Sequence, residues 1–275
     1  MSRVLSLPQT VMDYRLVQAI NEIRENYGDT VDIVSKAKSL SKFGRNATVS
    51  TSFETVWEYG GNETYVTSNV INTMSSSSAS DTDVDVTIEG HTVSGTGADA
   101  QFTFVIQTAN TDGQGKVVLA TPLARVSRAY VSGATAPLGD IYIAEDDTLS
   151  GGVPTTASKV HITILGTAGQ TQSFKAATTF SNTDYFICTG GWASVSRNQS
   201  NVNVDTELQV RQVGGVYRPA AARVSLGTQG TQTAQINFDP FVIVPKNADM
   251  RGVAVASASA EVHMNFNGYL AQVIG

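Results

Sequence analysis

The sequence predicts an all-β protein: two antiparallel sandwich or jelly-roll-like domains behind an N-terminal α-helical arm. Three observations point there. From Ala47 onward apolar residues recur at every second position, and glycine turn signals punctuate the runs. Charged residues make up only 15% of the 275-residue chain against 41% hydrophobic. A typical globular chain carries ~25% charge; here Ser, Thr, Asn and Gln fill the gap, as in Ser75-Ser76-Ser77-Ser78. Strands tolerate Ser and Thr where Lys and Glu are depleted.

The helix comes first. Met12, Leu16, Ile20, Ile23 and Tyr27 recur at steps of four, four, three and four, which is one face of a 3.6-residue period. Thr10 followed by Asp13 resembles a capping box with Asp in place of Glu, and Gly28 supplies a C-terminal stop. Arg15, Gln18, Glu22 and Glu25 occupy the opposite face. A lone amphipathic helix must bury its stripe, either on its own β-domain or as an anchor on another subunit. Residues 1–44 are assigned to this arm.

The strands follow with period two. Val84, Val86 and Ile88 alternate with polar residues, as do Phe102, Phe104 and Ile106, then Val160, Ile162 and Ile164. Later come Val202 and Val204, Leu208 and Val210, then Val262, Met264 and Phe266. Turn signals separate them at Gly60-Gly61, Asp112-Gly113, Gly151-Gly152, Gly214-Gly215 and Asn267-Gly268. The last is expected to close a two-residue hairpin, because both residues tolerate positive φ. So many short strands exceed one small sandwich. The acidic, then Gly/Pro-containing stretch from Ala144 to Pro154 is the expected seam, dividing the chain into β-domains 45–148 and 149–275.

Charge and composition exclude several classes. The net charge is −6 and no run of five Lys or Arg occurs, so the footprint of a phosphate-backbone binder is missing and no nucleic-acid partner is expected. The purest apolar stretches, such as Phe241–Val244, are four residues long, far short of the ~20 of a membrane helix. No membrane partner is expected. Met1 to Pro8 contains no apolar core of a signal peptide, so synthesis and assembly in a cytoplasm are expected. The single cysteine, Cys188, sits beside Ile187 and reads as a small buried hydrophobe.

Catalytic constellations are not indicated. His91, His161 and His263 lie far apart, each in or at the end of an expected strand, without the i, i+4 spacing of a helical metal site. No G-x-S-x-G elbow accompanies them, and Cys188 is in an apolar setting. Asp81, Asp83 and Asp85 would share one face of a strand. That face is either a site for a hard cation or a solvated surface that discourages edge pairing. Gly95-Thr96-Gly97 and Gly113-Gln114-Gly115-Lys116 are each too incomplete for a phosphate-binding loop. Paired carboxylates of a glycosidase come from different strands, so spacing does not reveal them. No catalytic, metal-binding or cofactor-binding residue is assigned, and no cofactor is expected. The aromatics offer another chemistry. Trp57, Tyr59 and Tyr65 cluster around Gly60-Gly61, and Trp192 follows Gly190-Gly191. Exposed, such rings stack on sugars; buried, they anchor a core.

Several stretches, taken in order, carry a resemblance. They include Lys42-Phe43-Gly44-Arg45-Asn46, Glu54-Thr55-Val56-Trp57-Glu58-Tyr59-Gly60-Gly61, Ser75–Thr82, Val86-Thr87-Ile88-Glu89-Gly90, Arg125–Tyr130, Gly139–Ile143 and Gly151-Gly152-Val153-Pro154. From about Lys42 to Ile274 the chain resembles virion structural proteins of marine and cyanobacterial tailed bacteriophages. The resemblance implies a non-enzymatic, β-rich component located in the virion and assembled in the bacterial host. Its expected role is capsid decoration or cement, or a neck- or tail-associated subunit, in a homo-oligomer whose partners are other virion proteins. The helix lies outside the resembling stretch. Low charge agrees, since Lys and Glu are depleted at interfaces, and Arg outnumbers Lys 11 to 7. The alternative expectation is a host-glycan-binding adhesin or fibre domain using Trp57, Tyr59 or Trp192.

Overall fold

The computed structural model describes residues 11–32, 38–196, 202–220, 223–227 and 232–273, with the backbone alone at 11–13, 31, 32 and 38. The described chain is all-β with one N-terminal helix, and its strands build two antiparallel sandwiches. In the first, strand Ala260–Val273 pairs with Asp184–Ser196, which pairs with Gln232–Val244. Lys38–Val49 and Val31–Asp32 pair with the other edge of Ala260–Val273. The facing sheet is built on Ala248–Ala256 and Val204–Gln212. Alternate residues of both sheets, among them Phe186, Phe266, Val262, Met250 and Leu208, meet in one apolar core. The second sandwich places Val160–Ile164, Ile141–Glu145, Ile71–Ser76 and Val117–Leu123 against a sheet of Gln101–Asn110, Asp85–Ser94 and Arg125–Val131. Its own core holds Ile71, Ile88, Leu123, Ile143 and Ile162.

The cores do not divide at the expected seam. Ile141–Glu145 and Val160–Ile164, on either side of Ala144–Pro154, are neighbouring strands of one sheet. Lys38–Val49, part of which was assigned to the arm, is a strand of the sandwich that the C-terminal half completes. The second sandwich is therefore inserted between the first strands and the later strands of the other. The acidic stretch is a solvated connection containing a small hairpin. There Gly151 and Gly152, with φ of +57° and +81°, join Ser150 to its partner Val153 in the two-residue geometry that positive φ permits.

Asn267-Gly268 is not a turn. Both residues lie inside Ala260–Val273, where Gly268 pairs with Cys188 and with Leu40. Across that pairing Thr189 is an extra residue between Cys188, opposite Gly268, and Gly190, opposite Asn267. A Cβ on Gly268 would stand 2.1 Å from the carbonyl oxygen of Ile187. The glycine serves close backbone approach at a bulge.

The helix Val11–Tyr27 lies on the outer surface of the five-stranded sheet. Ala19 and Ile23 are buried there against Tyr185, Ile187, Phe241 and Ala271, with Leu16 and Ile20 at the margin. Burial of a side chain such as Ile23 stabilises by ~1.5–3 kcal/mol. The stripe thus packs on the chain's own β-domain, and it is not a free anchor. Gly28 ends the helix at φ +71°, its N–H donating to Arg24 O. Thr10 and the side chains of Met12 and Asp13 lie outside the described residues.

Polar groups join the sandwiches. Lys42 Nζ donates to Ser127 O at 2.7 Å, and Asn247 Oδ1 accepts from Phe102 N at 2.9 Å. Lys175, buried beside Glu63, donates to Val126 O and His161 O.

Candidate functional site

The helix covers only one half of the outer face of the five-stranded sheet, the half carrying Tyr185, Ile187 and Phe241. Among the described residues no helix covers the other half. Register fixes its composition, because directly paired residues share a face. Phe43 is opposite Asn265, Asn265 opposite Trp192, and Trp192 opposite Gln235, one row across four strands. The next row toward the helix is Ser41, Asn267, Gly190 and Asn237. In the row on the other side, Arg45, His263, Ser194 and Thr233 are aligned. Their inward neighbours, including Met264, Phe266, Ala193 and Val195, fill the core, so the two-residue period forces the polar set outward.

Trp192, Asn265 and Gln235, with Ser41, Asn267, Gly190, Asn237, Ser194 and Thr233, line a shallow groove of about 1050 Å³, and Phe43, Arg45 and His263 lie beyond its lining. Trp192 and Phe43 are 37% and 38% exposed, large rings left open on a surface of amides and hydroxyls. Phe43 leans on Phe174, ring centroids 5.1 Å apart. Asn265 Nδ2 donates to Ser41 Oγ at 2.8 Å, which holds that amide in the row. The charged pair sits at one margin, where Arg45 Nε is 2.6 Å from Glu261 Oε1, and His263 Nε2 lies 3.1 Å from the same oxygen. Burial raises the Glu261 carboxyl, but the hydrogen bond and charge of Arg45 outweigh it and hold the group below its ordinary value. The middle of the face carries no charge.

The other candidates are dispersed. Trp57 is buried, its Nε1 donating to Gly61 O at 3.0 Å, and Tyr59 beside it is half-buried. Tyr65 is held under the guanidinium groups of Arg125 and Arg211. Of the three rings named for glycan binding, Trp192 alone is exposed. Asp81, Asp83 and Asp85 do not share a face. Asp81 is buried and accepts from Leu138 N, Gly139 N and Ser76 Oγ, while Asp83 and Asp85 are exposed and accept from Asn110 Nδ2. Among the described residues no three His, Cys, Asp or Glu side chains converge as a metal site would require. His91, His161 and His263 occupy strands of three different sheets, as the sequence placed them in strands. Burial pulls both His91 and His161 down to about 3, so both are neutral at physiological pH. Burial pushes the Cys188 thiol up to about 12.

Phe43, Asn265, Asn267, Gln235 and Asn237 were not read as binding residues from the sequence, where Asn267 stood as a turn signal and Phe43 as part of an ordered motif. Their signal lay in the polar positions between Met264 and Phe266 and around Ile236, the complement of the apolar alternation that defines the core.

No family model and no curated protein sequence matches the chain. Among solved structures, a structure of the Gx strain of infectious bursal disease virus aligns over 90% of this chain and 74% of that one, at 9% identity and a TM-score of 0.23. A mutant VP2 protein of infectious bursal disease virus, in derived T=1 particles, aligns over 93% and 79% at 10% identity and a TM-score of 0.21. A VP2 subviral particle of the same virus aligns over 94% and 82% at 10% identity and a TM-score of 0.20. Likeness this slight carries nothing to function.

Proposed function

We propose that the chain is a non-enzymatic virion structural protein, a capsid decoration or cement subunit or a neck- or tail-associated one, working as a homo-oligomer among other virion proteins. The ordered motifs from Lys42 onward support this reading. The observation that carries it is strand Gln101–Asn110. It is ten residues long, contains no charged residue, and forms one edge of its three-stranded sheet. Phe104 and Ile106 are 47% and 59% exposed on it. Asn247 and Asn182 pair the backbone of Phe102 and Gln107 bridges to Thr121, but the uncharged stretch between them is a liability in a free monomer, which natural proteins normally blunt with charge, proline or a bulge. In a particle the same edge is covered by a neighbouring subunit, and uncharged flanks lose water at modest cost. The buried, neutral His91 and His161 and the buried thiol fit a chain without acid–base or nucleophilic chemistry.

Immunogold electron microscopy and mass spectrometry of purified virions test the proposal. The protein should be present at fixed copy number and label the capsid face, the neck or the tail. Its absence from purified virions overturns the reading. Light scattering of the purified chain tests the edge: Ile106→Lys should lower the molar mass of the oligomer while leaving the urea midpoint unchanged.

A further inference from the structure

The open half of the five-stranded sheet has the chemistry of a ligand surface. We infer that the row Phe43–Asn265–Trp192–Gln235 binds an extended, neutral, β-linked hexose polysaccharide. The inference adds a binding activity to the virion reading and does not rest on it.

Three features select this ligand. The first is the pair of half-exposed rings. A pyranose presents a flat C–H face that is apolar, and aromatic rings bury such surfaces while leaving the sugar hydroxyls free. The second is what surrounds the rings. Asn265, Gln235, Asn237 and Asn267 supply amides that both donate and accept, which is what hydroxyls at a sugar rim require. Among the described residues an anionic ligand would meet no unengaged cation on this row, because Arg45 is held by Glu261 at the margin. The third is spacing. Phe43 and Trp192 stand in register on strands separated by one intervening strand, so their backbone positions are about two interstrand spacings apart, ~10 Å. Alternate residues of an extended β-linked hexose chain present the same face at a comparable interval. The ligand would run across the strands along the row, with the helix bounding the groove on one side and the Arg45–Glu261 pair on the other.

The two tryptophans make the test direct, since Trp57 is buried and Trp192 exposed. Titration of the full chain with cellohexaose should shift the emission of Trp192 saturably and give a heat of binding that is insensitive to salt. Maltohexaose, whose α-linkages coil the chain, should bind more weakly. Trp192→Ala should abolish the heat, and Phe43→Ala should weaken affinity about tenfold, equivalent to about 1.4 kcal/mol. Asn265→Asp, which keeps the shape of the row, should also weaken it, with unchanged urea midpoints showing that the variants fold. Failure of cellohexaose at millimolar concentration to shift the emission overturns the inference, as does unaltered affinity in Trp192→Ala. Shielding of Trp192 from acrylamide in the oligomer also overturns it, because a second copy of the chain would then occupy the face. A chain that binds cellohexaose yet is missing from virions would sink the virion reading and leave this one standing.

Discussion

Arg125 and Asp249, 124 positions apart, meet in the junction of the two sandwiches through paired hydrogen bonds, Nε to Oδ1 at 2.9 Å and Nη2 to Oδ2 at 3.2 Å. Thr179 Oγ1 and Arg211 Nη2 complete the carboxylate at 2.6 and 2.5 Å, and Asp249 is fully buried. Breaking such a pair leaves an uncompensated buried charge and costs ~3–5 kcal/mol. Asp249→Ala should therefore lower stability by about that amount in urea unfolding. The pH dependence has a definite sign. Burial raises the Asp249 carboxyl, but Arg125 and Arg211 outweigh it and hold the group below its ordinary value. A depressed carboxyl stabilises the fold above its unfolded pKa of ~3.9 and loses that contribution as pH falls through the folded value. The junction contribution should persist at neutral pH and decline only below about pH 4.

Lys42 behaves oppositely. Burial pulls its ammonium down to about 7, against the attraction of Glu89, and Lys175 and Arg128 add to the lowering. The unfolded chain keeps this group protonated to ~10.4 and so binds more protons than the fold between those values. Stability attributable to Lys42 therefore rises with pH from about 7 toward 10 and is lowest at and below about 7. Lys42→Met should stabilise the protein at pH 6 by ~1–4 kcal/mol. Urea midpoints at pH 6 and pH 9 should show that advantage shrinking.

The class of fold was legible because alternation is local. Val84, Val86 and Ile88, and Val262, Met264 and Phe266, are buried as their spacing demands. Which strands pair was not legible, because Lys38–Val49 finds its partner in Ala260–Val273 across more than half the chain, and no local signal encodes that. Asn267-Gly268 carries the residues of a turn, but the carbonyl of Ile187 determines its use. The candidate site suffered the same limit. Trp192 stood out as a residue type, whereas its neighbours Phe43 and Asn265 reach it only through register.

Gly268 tests the close-approach account. In an ordinary strand interior, Gly→Ala stabilises by ~0.5–1 kcal/mol. Here the added Cβ would meet Ile187 O at 2.1 Å, so strands must separate at the bulge. Gly268→Ala should destabilise by at least ~1–3 kcal/mol, the usual cost of overpacking. Equal or greater stability of the variant by thermal unfolding would refute the assigned role.

Cys188 is buried in strand Asp184–Ser196, its Sγ within 3.5 Å of Asn267 O, and its thiol is pushed up to about 12 by burial. The thiolate is the reactive form. Ellman's reagent at pH 8 should leave the native chain unmodified and react with one thiol per chain once urea unfolds it. Rapid modification of the native protein would contradict this burial.

The helix decides between a packed layer and a detachable arm. Ile23 is fully buried against Tyr185, Ile187, Phe241 and Ala271, so its side chain works for the sheet beneath it. Ile23→Val should cost ~0.5–1.5 kcal/mol and Ile23→Ala ~2–5 kcal/mol. Both losses should appear in the same cooperative unfolding transition as the sandwich, because the helix and sheet share this cluster. An arm merely tethered to the domain predicts a different outcome, in which helix signal melts early and the sheet transition stays where it was. Circular dichroism at a helix-sensitive wavelength, followed beside tyrosine fluorescence through a urea titration, separates the two. Coincident transitions shifted together by Ile23→Ala are the result expected of a packed layer.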